Sequence, residues 1–176
     1  MNYTKDHRAR GGCLYLRKII RTRILPVGFF LLFLSHSPLA QSKYIHKYQP
    51  MADSLSEVYG IPVSVMLGIA IMESASGTSR NCKLLHNHFG VVGKNDLLAT
   101  QGIRTRYKQY RDSLASYVDF CRIISRKRFY PSLKGSKDYQ RWALSISKAG
   151  YSEIPEIWRE RLVAIIRKHK LTRFDQ

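Results

Sequence analysis

The chain has 176 residues, 44% of them hydrophobic, and carries 30 Lys and Arg against 12 Asp and Glu for a net charge of +18. That apolar content excludes a disordered chain, which lacks the surface to offset the entropy of ordering, and the length fits one domain of about 100–200 residues rather than a multi-span membrane protein. The charge points first to a polyanionic partner: nucleic acid, an anionic membrane surface or an anionic polymer.

The amino-terminal 40 residues read as a targeting segment. Arg17, Lys18, Arg21 and Arg23 precede an apolar run from Ile24 to Leu34, and small and polar residues follow up to Ala40. This is the basic, apolar, small-residue order of a secretory signal. The run is 11 residues long, short of the roughly 20 that a permanent span needs. Cleavage after Ala40 is expected; an uncleaved amino-terminal membrane anchor is the alternative, because Pro38 is unfavourable two positions before the cut. Residues 1–40 hold seven basic residues and one acid, so the exported part, 41–176, is left with 136 residues and a net charge of +12. The expected location is the periplasm or cell envelope. Cys82 and Cys121 remain in the exported part, where an oxidising compartment permits a disulfide between them; two buried free thiols are the alternative.

Residues 41–176 show no repeat and no linker and read as one unit. A first helix is predicted from Pro50 to Tyr59, with Pro50 at an initial helical position and Met51, Leu55 and Val58 as its stripe; Gly60 stops it. Ile61-Pro62 opens a second helix, apolar all round through Val65, Met66, Ile69, Ala70 and Met72, that ends by Gly77. From Asn81 to Tyr110 turn residues separate short apolar pieces, and Ile103 to Tyr110 favours strand, which predicts a small two- or three-stranded lobe. Helical spacing resumes after Asp112 or Ser113 with Leu114, Tyr117, Val118, Cys121 and Ile124. It continues with Tyr139, Trp142, Ala143, Ile146 and Ala149 up to Gly150. A last helix starts near Pro155, burying Ile157 or Trp158 with Leu162, Ile165 and Ile166. Its order of acids before bases suits the helix macrodipole. The expected class is α+β, mainly helical with a small β lobe after the second helix.

Glu73 closes the apolar run Val65–Met72. A carboxylate beside a buried helix is costly unless it is partnered or protonated, and desolvation raises a carboxyl pKa, the condition a general acid for glycosidic cleavage needs. Position alone is equally compatible with a residue that caps or pairs at a helix end.

The strings around Glu73 narrow the choice. Ile61-Pro-Val-Ser-Val65, Ala70-Ile-Met-Glu-Ser-Ala-Ser-Gly-Thr-Ser79, Asn87-His-Phe-Gly90, Trp142-Ala143 and Lys148-Ala-Gly-Tyr151 resemble, in order, the signature blocks of glycoside hydrolase family 73, bacterial peptidoglycan β-N-acetylglucosaminidases. The resemblance runs from about Tyr48 to Leu171. It implies a lysozyme-like fold and hydrolysis of the β-1,4 bond between N-acetylglucosamine and N-acetylmuramic acid in peptidoglycan glycan strands. It makes Glu73 the general acid and Tyr151 the active-site tyrosine lining the cleft. Asn87 and Phe89 fall in the block that shapes the cleft floor, and Ser76 and Trp142 are further substrate-binding candidates. For Phe89 and Trp142, core packing competes with sugar stacking.

One departure stands out. Glycosidases normally place a second carboxylate about 5–9.5 Å from the acid, and in this family it comes from the β lobe. Here residues 88–111 contain one acid, Asp96, among Arg104, Arg106, Lys108 and Arg111. Asp96 is therefore the candidate base, although it reads equally as a turn residue. Otherwise the substrate's N-acetyl group assists, or the chain is a catalytically impaired wall-binding or assembly protein on the same fold. A lytic transglycosylase is disfavoured, since no Gly-Leu-Met-Gln-like block follows the glutamate. Zinc spacing, a recognition helix and an aromatic–basic RNA motif are all missing, so no nucleic-acid partner is expected. His86 and His88 lack a third ligand, so no metal is expected, and neither is a cofactor. The leader is the expected membrane tether if it stays uncleaved.

Overall fold

A computed structural model of the chain describes residues 38–175. The leader and its cleavage or anchoring lie largely outside the described residues, among which no helix is long and apolar enough to cross a membrane.

Helix α1 spans Pro38–Tyr59 and contains Pro50 in its interior, so the helix predicted to begin at Pro50 begins at least twelve residues earlier. An interior proline removes a backbone hydrogen bond and crowds the preceding turn. Here Tyr44, Tyr48, Ala52 and Leu55 form one helical stripe across the proline, with Tyr44, Ala52 and Leu55 buried and Tyr48 packed against the core. Their burial carries the helix through.

Helix α2, Val63–Ser74, is the centre of the fold. Its residues 63–71 are all buried, and it packs against α1, against α7 (Tyr139–Ile146), α8 (Pro155–Lys168) and a 3-10 turn at Leu171–Phe174. A helix apolar on every side is stable only when surrounded in this way. Gly68 allows the close approach of α8: a Cβ there would lie 2.8 Å from Leu162 Cδ1 and 3.0 Å from Ile166 Cγ1. At the other end of the chain Asp175 Oδ1 accepts from the Ser64 amide at 2.8 Å, capping the first turn of α2. Helix α2 stops at Ala75 and Ser76, both left-handed, with φ of 53° and 55°. The Ser74 hydroxyl donates to the Ala70 carbonyl and accepts from the Gly77 amide.

Short helix α3, Arg80–Leu85, follows, N-capped by Ser79. The predicted β lobe is not built as a sheet. Among the described residues the only bridge is the antiparallel pair Val92 and Tyr107, flanked by the backbone bonds Lys108 N to Val91 O and Gly93 N to Arg106 O. The Gln109 amide adds one more backbone bond, to the Lys94 carbonyl, and asparagine side chains take up further carbonyls. Asn87 Nδ2 donates to the Val91 and Lys108 carbonyls, and Asn95 Nδ2 to those of Thr105 and Tyr107. Between these arms Leu97–Gln101 forms helix α4, ended by left-handed Gly102. Helix α5, Ser113–Ser125, is capped by Asp112 as predicted, its side chain accepting from the Ala115 amide at 2.7 Å. Leu114 is exposed, and Phe120 takes a place on the buried face. After α6, Tyr130–Leu133, helix α7 runs into a π-turn over Ser147–Tyr151, where Gly150 has φ 77°. In α8 it is Trp158, not Ile157, that is buried.

Of the two alternatives for the cysteines, a disulfide or buried free thiols, the structure has the second: Cys82 and Cys121 are free, buried thiols with different partners. Cys121 Sγ lies 3.6 Å from Met66 Sδ, and Cys82 Sγ lies 3.5 Å from His88 Nδ1. Burial pushes Cys82 up to about 11 and Cys121 up to about 12, away from the thiolate that disulfide chemistry needs.

Candidate active site

The all-buried α2 brings Glu73, in its last turn, to the edge of the core. Trp158, four residues into α8, donates its indole N–H to Glu73 Oε1 at 2.9 Å. Burial raises the Glu73 pKa, and the indole N–H opposes that rise without cancelling it. An indole can only donate, so Oε1 is occupied as an acceptor and the acid proton belongs on Oε2. That oxygen faces Gly90, where a Cβ would lie 3.3 Å from it. Gly90 also has φ 66°, a conformation glycine adopts without steric cost.

Glu73 opens into a cleft of about 570 Å³. It is lined by Val92, Arg106 and Tyr107 around the Val92–Tyr107 bridge, by the segment from Gly150 to Ile154, and by Ser79, Asn81, Asn87 and Gly90. Val92 and Ile154 are 60% and 55% exposed, leaving aliphatic surface in the cleft. A second hollow of about 610 Å³ between α7 and α8 holds Arg141, Arg159 and Arg167 with Asp138 and Glu160. Its two acids are exposed, and the desolvated carboxyl group is in the first cleft.

The predicted site residues divide. Tyr151 lines the cleft, and its hydroxyl donates to the Phe89 carbonyl at 2.8 Å. Burial, with Glu73 and Tyr110 nearby, raises its pKa far above the usual phenol range, so it remains a donor. Its ring lies 5.2 Å from that of Trp158. Tyr151 thus fixes the wall around the acid and presents its ring, rather than a free hydroxyl. Asn87 reaches the cleft, but both amide hydrogens go to backbone carbonyls and its Oδ1 accepts from the Val91 amide; it clamps the wall. Phe89 is 1% exposed and stacked on Phe120 with centroids 4.1 Å apart, so it packs the core and stacks no sugar. Trp142 is fully buried and donates to the Ser136 carbonyl, again core. Ser76 is buried and does not line the cleft. Asp96 is exposed at the start of α4, outside the cleft lining, with its backbone amide on Gln109 Oε1.

A polar scaffold joins α1, α5 and the loop after α3. His88 is buried and takes Tyr44 Oη at 2.7 Å on Nδ1 and Ser113 Oγ at 3.0 Å on Nε2, and Tyr44 Oη meets Tyr117 Oη at 3.0 Å. Burial lowers the His88 pKa to about 4, so the imidazole is neutral and structural.

Three residues of the site were not legible in the sequence: Trp158 as the partner of Glu73, Gly90 as the space beside its Oε2, and Glu153 as a cleft group. Gly90 was visible within the Asn-x-Phe-Gly string. Trp158 lies 85 positions from Glu73, so no local spacing pairs them.

A family model described as mannosyl-glycoprotein endo-beta-N-acetylglucosaminidase matches residues 49–171. The chain belongs to the glucosaminidase family. Every cleft residue from Glu73 to Ile154 falls inside that match, and the family is one of glycoside hydrolases. The exo-glucosaminidase LytG of Bacillus subtilis (strain 168) is 26% identical over 181 residues, covering 86% of this chain and 64% of that protein; the chain thus spans about two thirds or less of this curated relative. The catalytic domain of the autolysin Auto from Listeria monocytogenes has a similar fold, with a TM-score of 0.65 at 19% identity over 79% of this chain and 89% of that one. The glycoside hydrolase domain of FlgJ from Salmonella typhimurium gives a TM-score of 0.58 at 21% identity, over 74% and 88% of the two chains. At these identities the structures speak to the fold, which is mainly helical and lysozyme-like.

Proposed function

We propose that this chain is an exported peptidoglycan hydrolase that cleaves the β-1,4 bond between N-acetylglucosamine and N-acetylmuramic acid, with Glu73 as general acid. The observation that carries this reading is the carboxyl group itself. It is desolvated in the lining of an open cleft, with Oε1 held by Trp158 and Oε2 beside Gly90. A raised pKa favours the protonated form that a general acid needs, and a fixed carboxyl delivers the proton in one direction. The proton on Oε2 passes to the glycosidic oxygen while the C1–O bond breaks. The leaving sugar departs as an alcohol, and water adds at C1 through an oxocarbenium-like transition state.

The basic surface fits the same substrate. Arg106 lines the cleft, and Arg80 and Lys83 line a neighbouring hollow with Thr78 and Gln101. Peptide stems of the wall carry carboxylates, so raising salt should weaken wall binding through screening. The leader, basic and then apolar, supplies the route to the periplasm or envelope and, if retained, a membrane tether.

The test is product analysis of a purified wall digest by wild type and Glu73→Gln. Wild type should release reducing ends, and the variant should lose roughly 10²–10⁴ in rate. Equal digestion by the variant removes Glu73 from the chemistry. Wall sedimentation without released ends in the wild type replaces hydrolysis with glycan binding, and anhydro-muramyl products replace it with a transglycosylase.

A further inference from the structure

We propose, resting on the hydrolase reading above, that Glu153 is the second carboxylate of this active site: the base that takes the proton of the attacking water. Glycosidases of this kind work with a pair of carboxyl groups across the scissile bond. The β-lobe position where the family resemblance directs the search holds only Asp96, and Asp96 stands outside the cleft at the start of α4. Among the described acids, Glu73 and Glu153 are the two that line the cleft.

The segment that carries Glu153 is tied to Glu73 at both ends. Two residues before it, Tyr151 is held to the Phe89 carbonyl at 2.8 Å and packs on Trp158. Two residues after it, Pro155 starts α8, whose Trp158 grips Glu73 Oε1. Within this bracket the Ile154 amide donates to Ser152 Oγ at 3.1 Å, turning the chain tightly. Glu153 therefore rides on a wall whose position is fixed relative to the acid. Its own carboxylate makes no hydrogen bond or ion pair with any described residue and is exposed, so it is available to a water. The two carboxyl groups occupy different environments, one largely buried against an indole and one exposed in the cleft lining. That contrast is how one site assigns an acid and a base to two chemically identical groups.

The step balances. Water loses a proton to the Glu153 carboxylate as its oxygen bonds to C1. Glu73 gives its Oε2 proton to the glycosidic oxygen as the C1–O bond breaks. One water is consumed, and proton exchange with solvent returns Glu153 to carboxylate and Glu73 to acid.

The experiment compares the full chain with its Glu153→Gln, Glu153→Ala and Asp96→Asn variants on purified peptidoglycan, following released reducing ends and wall sedimentation. Both Glu153 variants should lose about 10²–10⁴ in kcat while KM and wall binding stay within a few-fold, and Asp96→Asn should match wild type. Sodium azide, a nucleophile that needs no base, should restore Glu153→Ala and yield a glycosyl azide visible by mass spectrometry. An active wild type with an equally active Glu153→Gln overturns the assignment alone. So does a loss confined to KM, or one that azide does not restore. A wild type that releases no reducing ends removes the hydrolase reading and this assignment together.

Discussion

Trp158 and Glu73, 85 positions apart, meet through a 2.9 Å hydrogen bond from the indole N–H to Oε1, and this contact sets both the direction and the acidity of the candidate acid. Burial raises the Glu73 pKa and the indole opposes it. Trp158→Phe keeps an aromatic ring and removes the donor, so the Glu73 pKa should rise further. Activity requires protonated Glu73 and is lost as pH climbs through its pKa. The alkaline limb of the pH–rate profile should therefore move to higher pH in Trp158→Phe. The rate at the optimum should also fall, by about tenfold, because the carboxyl is no longer held in one orientation. An unmoved limb would separate Trp158 from the acid.

Glu73 should also cost stability. Its folded pKa lies above the ordinary 4.5, so the folded state binds the proton more tightly than the unfolded chain. The stability from that proton is complete below the unfolded pKa and is lost as pH rises through the folded one. Glu73→Gln removes the charge and keeps an oxygen to accept from Trp158. Its thermal midpoint should exceed wild type at pH 7 by a few degrees, on the order expected for about 1 kcal/mol, and the difference should shrink near pH 4.5 and below. Calorimetry across that range checks the sign.

Gly90 and Gly102 form a matched pair. Both have left-handed φ, 66° and 67°, but a Cβ on Gly90 would lie 3.3 Å from Glu73 Oε2, whereas one on Gly102 meets nothing within 4 Å. Alanine at either position should cost roughly 1–2 kcal/mol for the left-handed backbone. Only Gly90→Ala should also lower kcat, by crowding the oxygen that carries the proton. Denaturant melts beside wall-digestion rates of the two variants separate strain from chemistry.

How much of this was legible in the sequence follows from what each residue does. Glu73 was legible because a carboxyl at the end of an apolar helix conflicts with burial, and such conflicts mark function. A cap at Asp112 or Ser113 and a helix stop at Gly150 were legible because they are local; the structure uses Asp112 and turns the chain through Gly150. Phe89, Asn87 and Trp142 were substrate candidates because their strings contain the site, with core packing the alternative for the two aromatics. Yet a string mixes groups that face the cleft with groups that hold it. The Phe89 ring is core, while its carbonyl anchors Tyr151. Strand propensity over Ile103 to Tyr110 gives only one bridge, to Val92, because Asn87 and Asn95 side chains take up several of the backbone carbonyls there. Pro50 misled because the stripe from Tyr44 to Leu55 outweighs one lost hydrogen bond. Glu153 was not legible because the family pattern places the second acid in the β lobe, whereas the fold brings the loop before α8 to the cleft.

The Arg106–Tyr107 wall is anchored to α5 by Asp119, whose Oδ2 accepts from Lys108 Nζ at 2.7 Å and from the Tyr110 hydroxyl at 2.8 Å. Partial burial pulls the Asp119 pKa up, but the Lys108 ammonium and the Tyr110 hydroxyl overcome it and hold the carboxyl below its usual range. A depressed folded pKa contributes stability above the unfolded value, 3.8, and that contribution is lost as pH falls through the folded pKa. The pair is partly exposed, with side chains 39% and 25% accessible, so screening limits its worth to about 0.2–1 kcal/mol. Asp119→Asn should lower the thermal midpoint by a few degrees at pH 6–7, and the gap should close as the pH drops below 3.8. Because the same residue holds the Arg106–Tyr107 segment that lines the cleft, KM for glycan strands should rise while kcat at saturation stays close to wild type. A drop in kcat with KM unchanged would mean that the wall takes part in the chemistry instead of shaping the cleft.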